Sequence, residues 1–152
     1  MTYPGKRWAG FAGLVLLILF CAQPALAAMK IASTTIPIPE GDKPTLLAGL
    51  EYPGEWTVAI TSVQLVRDLE ESADPVKPVW KMIGTSTRPM VQKVIIEIHL
   101  LDGSGKKLKS VKQYVVIKAN AKSQEIPIKM KVKRVDWERV ERLRIKTTFT
   151  VL

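Results

Sequence analysis

The alternation of apolar and polar residues predicts an all-β protein. About six or seven runs of the 152-residue chain alternate in this way, and turn residues separate them at intervals of about 8–15 residues. No run carries the repeat of a long amphipathic helix. These observations indicate an antiparallel β-sandwich of about 6–8 strands, immunoglobulin-like in outline, preceded by an N-terminal signal helix.

The N-terminus has the three parts of a secretory signal peptide, which we place at residues 1–27. Lys6 and Arg7 precede the uncharged run Ala9–Ala22. Ala25 and Ala27 then supply the small-x-small pattern of a cleavage site. We therefore expect export to the periplasm or secretion. The alternative is an uncleaved N-terminal membrane anchor, because the 21 residues from 8 to 28 carry no charge and could span a bilayer.

The next segment, residues 28–54, is predicted to be an extended, proline-rich lead-in to a β-sandwich domain at residues 55–152. Its residues 30–53 contain four prolines and two glycines, which disfavour long regular elements. Within it, Ile31–Ile36 could form an edge strand. Glu55–Arg67 is the first strand of the predicted domain, and its apolar residues change parity midway. A bulge near Thr61 and Ser62 would return them to one face.

The clearest element is a hairpin of Val94–Leu101 and Val111–Ile117 around the turn Asp102–Lys106. Gly103 and Gly105 in that turn permit the positive φ that a tight connection needs. One parity of the first strand is wholly apolar and should face a core. It comprises Val94, Ile96, Ile98 and Leu100.

The C-terminal part continues the alternation. In Glu125–Val135, apolar residues alternate with lysines. Asp136 is predicted to cap one helical turn, with Trp137 and Val140 packing inward. Arg142–Val151 is the last strand. Trp56, Trp80 and Trp137 are expected mainly in the core.

The stretch from Gly84 to Phe149 resembles the small exported β-sandwich domains of the FxLYD group. Those domains carry a glycine-led strand and then an alternating apolar strand that ends in Leu-x-Asp-x-x-Gly-Lys. Here Gly84 is followed by Leu100-Leu101-Asp102-Gly103-Ser104-Gly105-Lys106. Leu101 stands where the group has an aromatic residue, and no asparagine follows Gly84. The resemblance implies an immunoglobulin-like fold, an envelope location and no known catalysis.

The positive charge lies almost entirely in the second half of the chain. The net charge is +9, and residues 93–152 hold 15 Lys/Arg and 6 Asp/Glu. If the last two long strands pair, six cations of their polar parity would share one solvent face that attracts anions. This predicted basic face consists of Lys129, Lys131, Lys133, Arg142, Arg144 and Lys146. Its alternative interpretation is a solvated surface that keeps strand edges from aggregating.

Catalytic chemistry has little support. Cys21 and His99 are the only cysteine and histidine, which excludes a disulfide and a Cys/His zinc site. His99 beside Glu97 is interpreted as a surface histidine rather than an acid–base group. The acidic residues Glu70, Glu71 and Asp74 lack the ligand spacing of a calcium loop. We therefore expect no catalytic residue, metal or cofactor.

These observations favour an exported, non-enzymatic protein that acts as a protein-interaction or structural module in the cell envelope. The alternative function is electrostatic binding of an anionic lipid or glycan through the predicted basic face. The partner would be an envelope protein or an anionic envelope polymer or lipid. Nucleic acid is not expected because of the export signal. Membrane contact follows if the N-terminal segment stays uncleaved.

Overall fold

The computed structural model describes residues 28–40, 43–66 and 73–151. Within them the chain is mostly antiparallel β, which confirms the predicted class. Two sheets contain nine strands, and one helical turn, α1, spans Arg134–Trp137. The strands are β1 (Ala28–Pro37), β2 (Thr45–Leu46), β3 (Glu51–Tyr52), β4 (Val58–Val66), β5 (Val79–Ser86), β6 (Gln92–Leu101), β7 (Lys107–Ile117), β8 (Gln124–Lys129) and β9 (Arg142–Val151).

Two predicted features lie outside the described residues. They are the signal segment with its cleavage residues Ala25 and Ala27, and most of the acidic loop, including Glu70 and Glu71. Among the residues that are described, no helix is long and apolar enough to cross a membrane.

The four-stranded sheet has the order β1-β9-β6-β7, and the five-stranded sheet has the order β2-β4-β5-β8 with β3 also beside β4. The predicted lead-in, residues 28–54, contributes to both sheets. β1 pairs with β9 along its whole length, from Ala28 opposite Val151 to Pro37 opposite Arg142. The edge strand predicted at Ile31–Ile36 is therefore present and longer than expected, and strands β1, β2 and β3 all precede residue 55.

The core is one apolar cluster with members from both sheets, which makes the arrangement sandwich-like. Its largest fully buried side chains include Trp80 of β5 and Phe149 of β9. The apolar parity predicted for β6 is confirmed, since Val94, Ile96, Ile98 and Leu100 are all buried.

The tryptophans differ from one another. Trp80 is buried, and the ring of Trp137 lies 6.2 Å from it, centroid to centroid. Trp56 was wrongly expected in the core, because it precedes β4 in an irregular segment and its side chain is 42% exposed. Strand parity does not apply outside the strand.

The backbone irregularities predicted from sequence are confirmed in two places. The register of β4 against β5 shifts between Ile60 and Ser62, so Ile60 and Val63 both reach the core. The hairpin of β6 and β7 turns at residues 102–106, and Gly105 there has φ +85°. The return strand begins at Lys107, earlier than predicted.

The helical turn begins two residues before its predicted cap. Lys133 precedes α1 without a side-chain hydrogen bond, and Asp136 lies inside the turn. The predicted cap was therefore wrong. The Arg134 side chain instead holds residue 73, with Nε and Nη2 donating to the Ala73 carbonyl at 3.0 and 2.7 Å. Trp137 and Val140 pack against the core as expected.

Candidate binding surface

The six cations of the predicted basic face do not share one face. Strand β8, which ends at Lys129, pairs with β5 in the five-stranded sheet, whereas β9 lies between β1 and β6 in the four-stranded sheet. The two strands therefore do not pair, and the single six-cation surface was a wrong expectation. The residues separate into two groups by sheet. Lys129, Lys131 and Lys133 belong to the β8 side, and Arg142, Arg144 and Lys146 belong to β9.

The β9 group belongs to a different charged surface, on the outer face of the four-stranded sheet. In the register, Lys146 lies opposite Glu97 of β6, which in turn lies opposite Lys112 of β7. Directly opposed residues in antiparallel strands project to the same side. Cations from β9, β6 and β7 therefore occupy this face together. They are Arg142, Arg144, Lys146, Lys93 and Lys112.

Glu97 is the carboxylate around which this charged half is arranged. Its Oε1 lies 3.7 Å from Nζ of Lys112, and its Oε2 lies 3.5 Å from Nε2 of His99. The predicted proximity of His99 and Glu97 on the outer face is thus confirmed. Lys112 Nζ also lies 5.8 Å from the centroid of the Tyr114 ring. The two ion-pair distances are at the long end of the range for such contacts.

The other half of the same face is apolar. One row across the sheet runs from Ile31 through Thr148 and Ile95 to Tyr114. Ile31 is 57% exposed and Tyr114 is 74% exposed, and the adjacent row runs from the exposed Met29 through Thr150 and Lys93 to the exposed Val116. The exposed apolar side chains at the ends of these two rows are called the apolar patch, and Lys93 and two threonines lie between them.

A groove opens beside this patch, between the loop before β6 and the outer face of β7. Its volume is about 590 Å³, and most of its lining is apolar. The walls include Met90 and Val91 from the loop and Tyr114 and Val116 from β7, all four of them exposed. The groove is of the size that small-molecule sites usually have.

Arg88 lines the groove and is held by its surroundings. Its backbone N–H donates to Ser86 Oγ at 3.1 Å, and its carbonyl accepts from the N–H of Asn120 at 2.8 Å. Asn120 has φ 51°, a left-handed conformation that asparagine tolerates. The Arg88 guanidinium Nη1 donates to Gln92 Oε1 at 2.7 Å. Gln92 Nε2 in turn donates to the carbonyl of Thr150, which ties this loop to β9.

The hairpin turn has its own polar cluster around Asp102. Oδ1 of Asp102 accepts from the Ser104 hydroxyl at 2.6 Å and from the N–H groups of Ser104 and Lys106 at 3.0 and 2.9 Å. The Ser104 hydroxyl contributes most to lowering the pKa of Asp102 below 3.8, its ordinary value, and the two N–H groups also lower that pKa. The hydrogen bonds that Asp102 Oδ1 accepts thus come from within the turn itself. This agrees with the prediction that residues 102–106 form a hairpin turn.

In the part of the chain that the structure describes, no three histidine, cysteine or carboxylate side chains lie together as metal ligands. The groove residues were not predicted from the sequence. Arg88 precedes Pro89 in a segment that reads as loop, and the contacts that fix this segment, from Arg88 to Asn120 and from Gln92 to Thr150, join residues distant in sequence. Two exposed apolar residues on the polar parity of β7, Tyr114 and Val116, were the available signal.

Comparisons with known proteins add no relative. No protein-family model matches the chain. No curated protein matches it either. The resemblance to FxLYD domains therefore remains a prediction.

Proposed function

We propose that the chain is an exported, non-enzymatic interaction module of the cell envelope, built as an immunoglobulin-like β-sandwich. Its partner is a protein with an apolar and acidic surface, which docks on the outer face of the four-stranded sheet. The observation that carries the proposal is the apolar half of that face, where Met29, Ile31, Tyr114 and Val116 are all at least half exposed.

The charge beside the patch supports a partner of this chemistry. Cations from three strands adjoin the apolar rows, and Glu97 is the acidic residue among the outward positions of β6, β7 and β9. Charge complementarity across an interface favours a partner of opposite sign and speeds its association. The apolar residues would supply most of the buried area, and the cations would orient the partner.

Export supports the envelope location of this module. The N-terminal sequence, with its basic start, apolar run and Ala25 and Ala27, has the form of a secretory signal. Retention as an N-terminal anchor would give the same location while keeping the module at the membrane. Binding of an anionic lipid or glycan through the predicted basic face is not supported, because the strands that carry its six cations lie in different sheets.

The test is site-specific photo-crosslinking in cells of the native host. A photoreactive amino acid replaces Ile31 or Tyr114 on the proposed docking face. Thr85 of β5, in the other sheet, and Lys129 of β8 serve as matched control positions. We expect one envelope protein to be crosslinked from both Ile31 and Tyr114 and from neither control, and mass spectrometry identifies it.

Two further measurements make the result decisive. The identified partner, once purified, should bind the chain less tightly as salt rises and when Tyr114 is replaced by serine. Crosslinks of equal yield from the control positions, or no reproducible protein from either docking position, would contradict the proposal.

A further inference from the structure

We propose that the groove beside β7 binds an anionic amphiphile, a single acyl chain that ends in a carboxylate, with Arg88 holding the carboxylate. This ligand site goes beyond the protein-docking role and does not depend on it. Two features meet at this site. The groove is apolar, and the buried guanidinium of Arg88 in its wall has no acidic partner among the described residues.

The burial of Arg88 requires an explanation. Its side chain is a permanent cation, yet the residue is only 9% exposed. Buried charges are ordinarily paired, because leaving one without a counter-ion costs several kcal/mol. The salt bridges found among the described residues involve other cations, and none includes Arg88. Its counter-charge is therefore missing from this part of the chain.

The free edge of the guanidinium has the geometry for a carboxylate. Nη1 is occupied by Gln92 Oε1, while Nε is buried without a hydrogen-bond partner. Nε and Nη2 lie on one edge of an arginine side chain, and such an edge can donate two parallel N–H groups to the two oxygens of a carboxylate. A carboxylate that penetrated to the buried Nε of Arg88 would give that nitrogen the partner it lacks. Gln92, itself held by the Thr150 carbonyl, fixes the orientation of that edge.

The rest of the groove fits an acyl chain. Met90, Val91, Ile95, Tyr114 and Val116 contribute apolar surface, and the volume of about 590 Å³ lies in the range of small-molecule sites. Burying a chain of CH₂ groups there is favourable, because it removes apolar surface from water. Polar ligands such as sugars would leave most of their hydroxyl groups without partners on these walls.

The charge of the lining selects an anion. Arg88 and Lys93 are the two cations of the groove, and its lining contains no carboxylate. A bilayer surface is a poorer match than a single amphiphile. Headgroups on a membrane would meet the exposed cations, whereas Arg88 is nine-tenths buried and is reached only by a ligand that enters the groove.

The experiment titrates the purified full-length chain with dodecanoate by calorimetry, and two-dimensional NMR locates the bound ligand. Three further probes are dodecyltrimethylammonium, which has the same tail and the opposite charge, acetate, which has the head group alone, and phosphatidylglycerol vesicles. We expect saturable binding of dodecanoate only. The largest shifts should fall on the amides of Arg88, of residues 90–95 and of residues 114–116.

Variants assign the two parts of the site. Arg88→Met should weaken dodecanoate binding on the order of 10- to 100-fold, since it removes a charge-assisted hydrogen-bond pair. Arg88→Lys should recover only part of that loss, because lysine lacks the planar fork. Lys131→Met removes an exposed cation after β8 and should leave binding unchanged.

Arg88 also makes hydrogen bonds that fix the loop before β6, so Arg88→Met could prevent folding. A second variant therefore tests the binding site independently of Arg88. Val116→Asp changes a half-exposed side chain on the groove wall and should repel the carboxylate with little effect on folding. Equal binding of both charged amphiphiles would overturn the proposal, as would dodecanoate binding that neither Arg88→Met nor Val116→Asp reduces. Binding to the vesicles without binding to dodecanoate would replace the groove site with a membrane-surface role.

Discussion

Residues 126–133, which include the end of β8, and strand β9 both alternate buried apolar residues with polar ones that include three cations each, and the fold uses the two segments differently. β8 is an edge strand of the five-stranded sheet, while β9 is flanked on both sides in the four-stranded sheet. Cations on β9 gain neighbours from β6 and β7, among them Glu97, whereas the lysines after β8 stay exposed. Alternation along a strand therefore sets the face of the sheet to which a side chain points. The neighbouring strands determine which other side chains lie beside it on that face.

The largest expected effect compares the cores beneath the two strands. Ile145 of β9 and Ile128 of β8 are the same residue type, and both are fully buried. We expect each change to alanine to lower the free energy of unfolding by about 2–5 kcal/mol. The loss should be greater for Ile145→Ala, because a strand paired on both sides relaxes less into the cavity than an edge strand.

Urea denaturation of both variants measures this difference. Thr150→Ala, on the outer parity of β9, is the control and should stay within about 0.5 kcal/mol of the natural chain. If Ile145→Ala and Ile128→Ala lose the same free energy of unfolding, the edge position of β8 does not let its surroundings relax further into the cavity.

The next effect concerns how closely β5 packs against its neighbour β8 and against β7 of the other sheet, at Gly84 of β5. A Cβ on Gly84 would lie 2.9 Å from Cδ1 of Ile126 in β8 and 3.2 Å from Cδ1 of Ile117 in β7. Gly84→Ala should therefore reduce the free energy of unfolding by about 1–3 kcal/mol through overpacking.

Thermal unfolding of Gly84→Ala provides the measurement. The double variant Gly84→Ala, Ile126→Val should recover part of the stability, because the shorter side chain makes room for the new methyl group. Close packing at this position would be contradicted if Gly84→Ala raised the stability. It would also be contradicted if the double variant lost more stability than the two single variants lose together.

A smaller, pH-dependent effect is expected at the turn between β6 and β7. The pKa of Asp102 is lowered in the folded chain, chiefly by the Ser104 hydroxyl, so the ionised carboxylate favours folding. This contribution is complete above 3.8 and disappears as the pH falls through the lowered pKa.

Asp102→Asn should therefore be less stable than the natural chain near neutral pH, and the two should converge in acid below 3.8. Denaturant titrations across this pH range measure the difference. Asp136→Asn, which alters a carboxylate within α1, is the control for general charge effects. If the stability difference between Asp102→Asn and the natural chain stays constant down to strong acid, the charge on Asp102 is not the cause of that difference.

The smallest effect comes from reversing one charge on β9 and one charge just after β8. Lys146→Glu places a carboxylate directly opposite Glu97 and should cost about 0.2–1 kcal/mol. Lys131→Glu, on the β8 side, should change stability by less than about 0.5 kcal/mol. Chemical denaturation at low and high salt tests this, since only the Lys146→Glu cost should shrink with salt. A larger cost for Lys131→Glu would indicate that the β8 lysines have charged neighbours after all.

The sequence predicted the local features of the fold well. The β class, the β4 bulge, the β6–β7 hairpin and the bounds of β9 all follow from alternation and turn residues, because these depend on neighbours within a few residues. The binding surface was predicted less well. Three of its cations lie on β9 as expected, but Lys93, Lys112 and the apolar rows come from strands that meet them only through pairing.

What the sequence determined by itself is the face to which each strand residue points, since a two-residue period is local. Only the tertiary structure decided that β8 and β9 lie in different sheets, that residues 28–37 complete the four-stranded sheet, and that Arg88 is buried beside β7. The physical reason is that hydrogen-bonded pairing between strands is nearly independent of side-chain parity. Strand order is selected by packing of the whole core, and a local pattern does not contain that information.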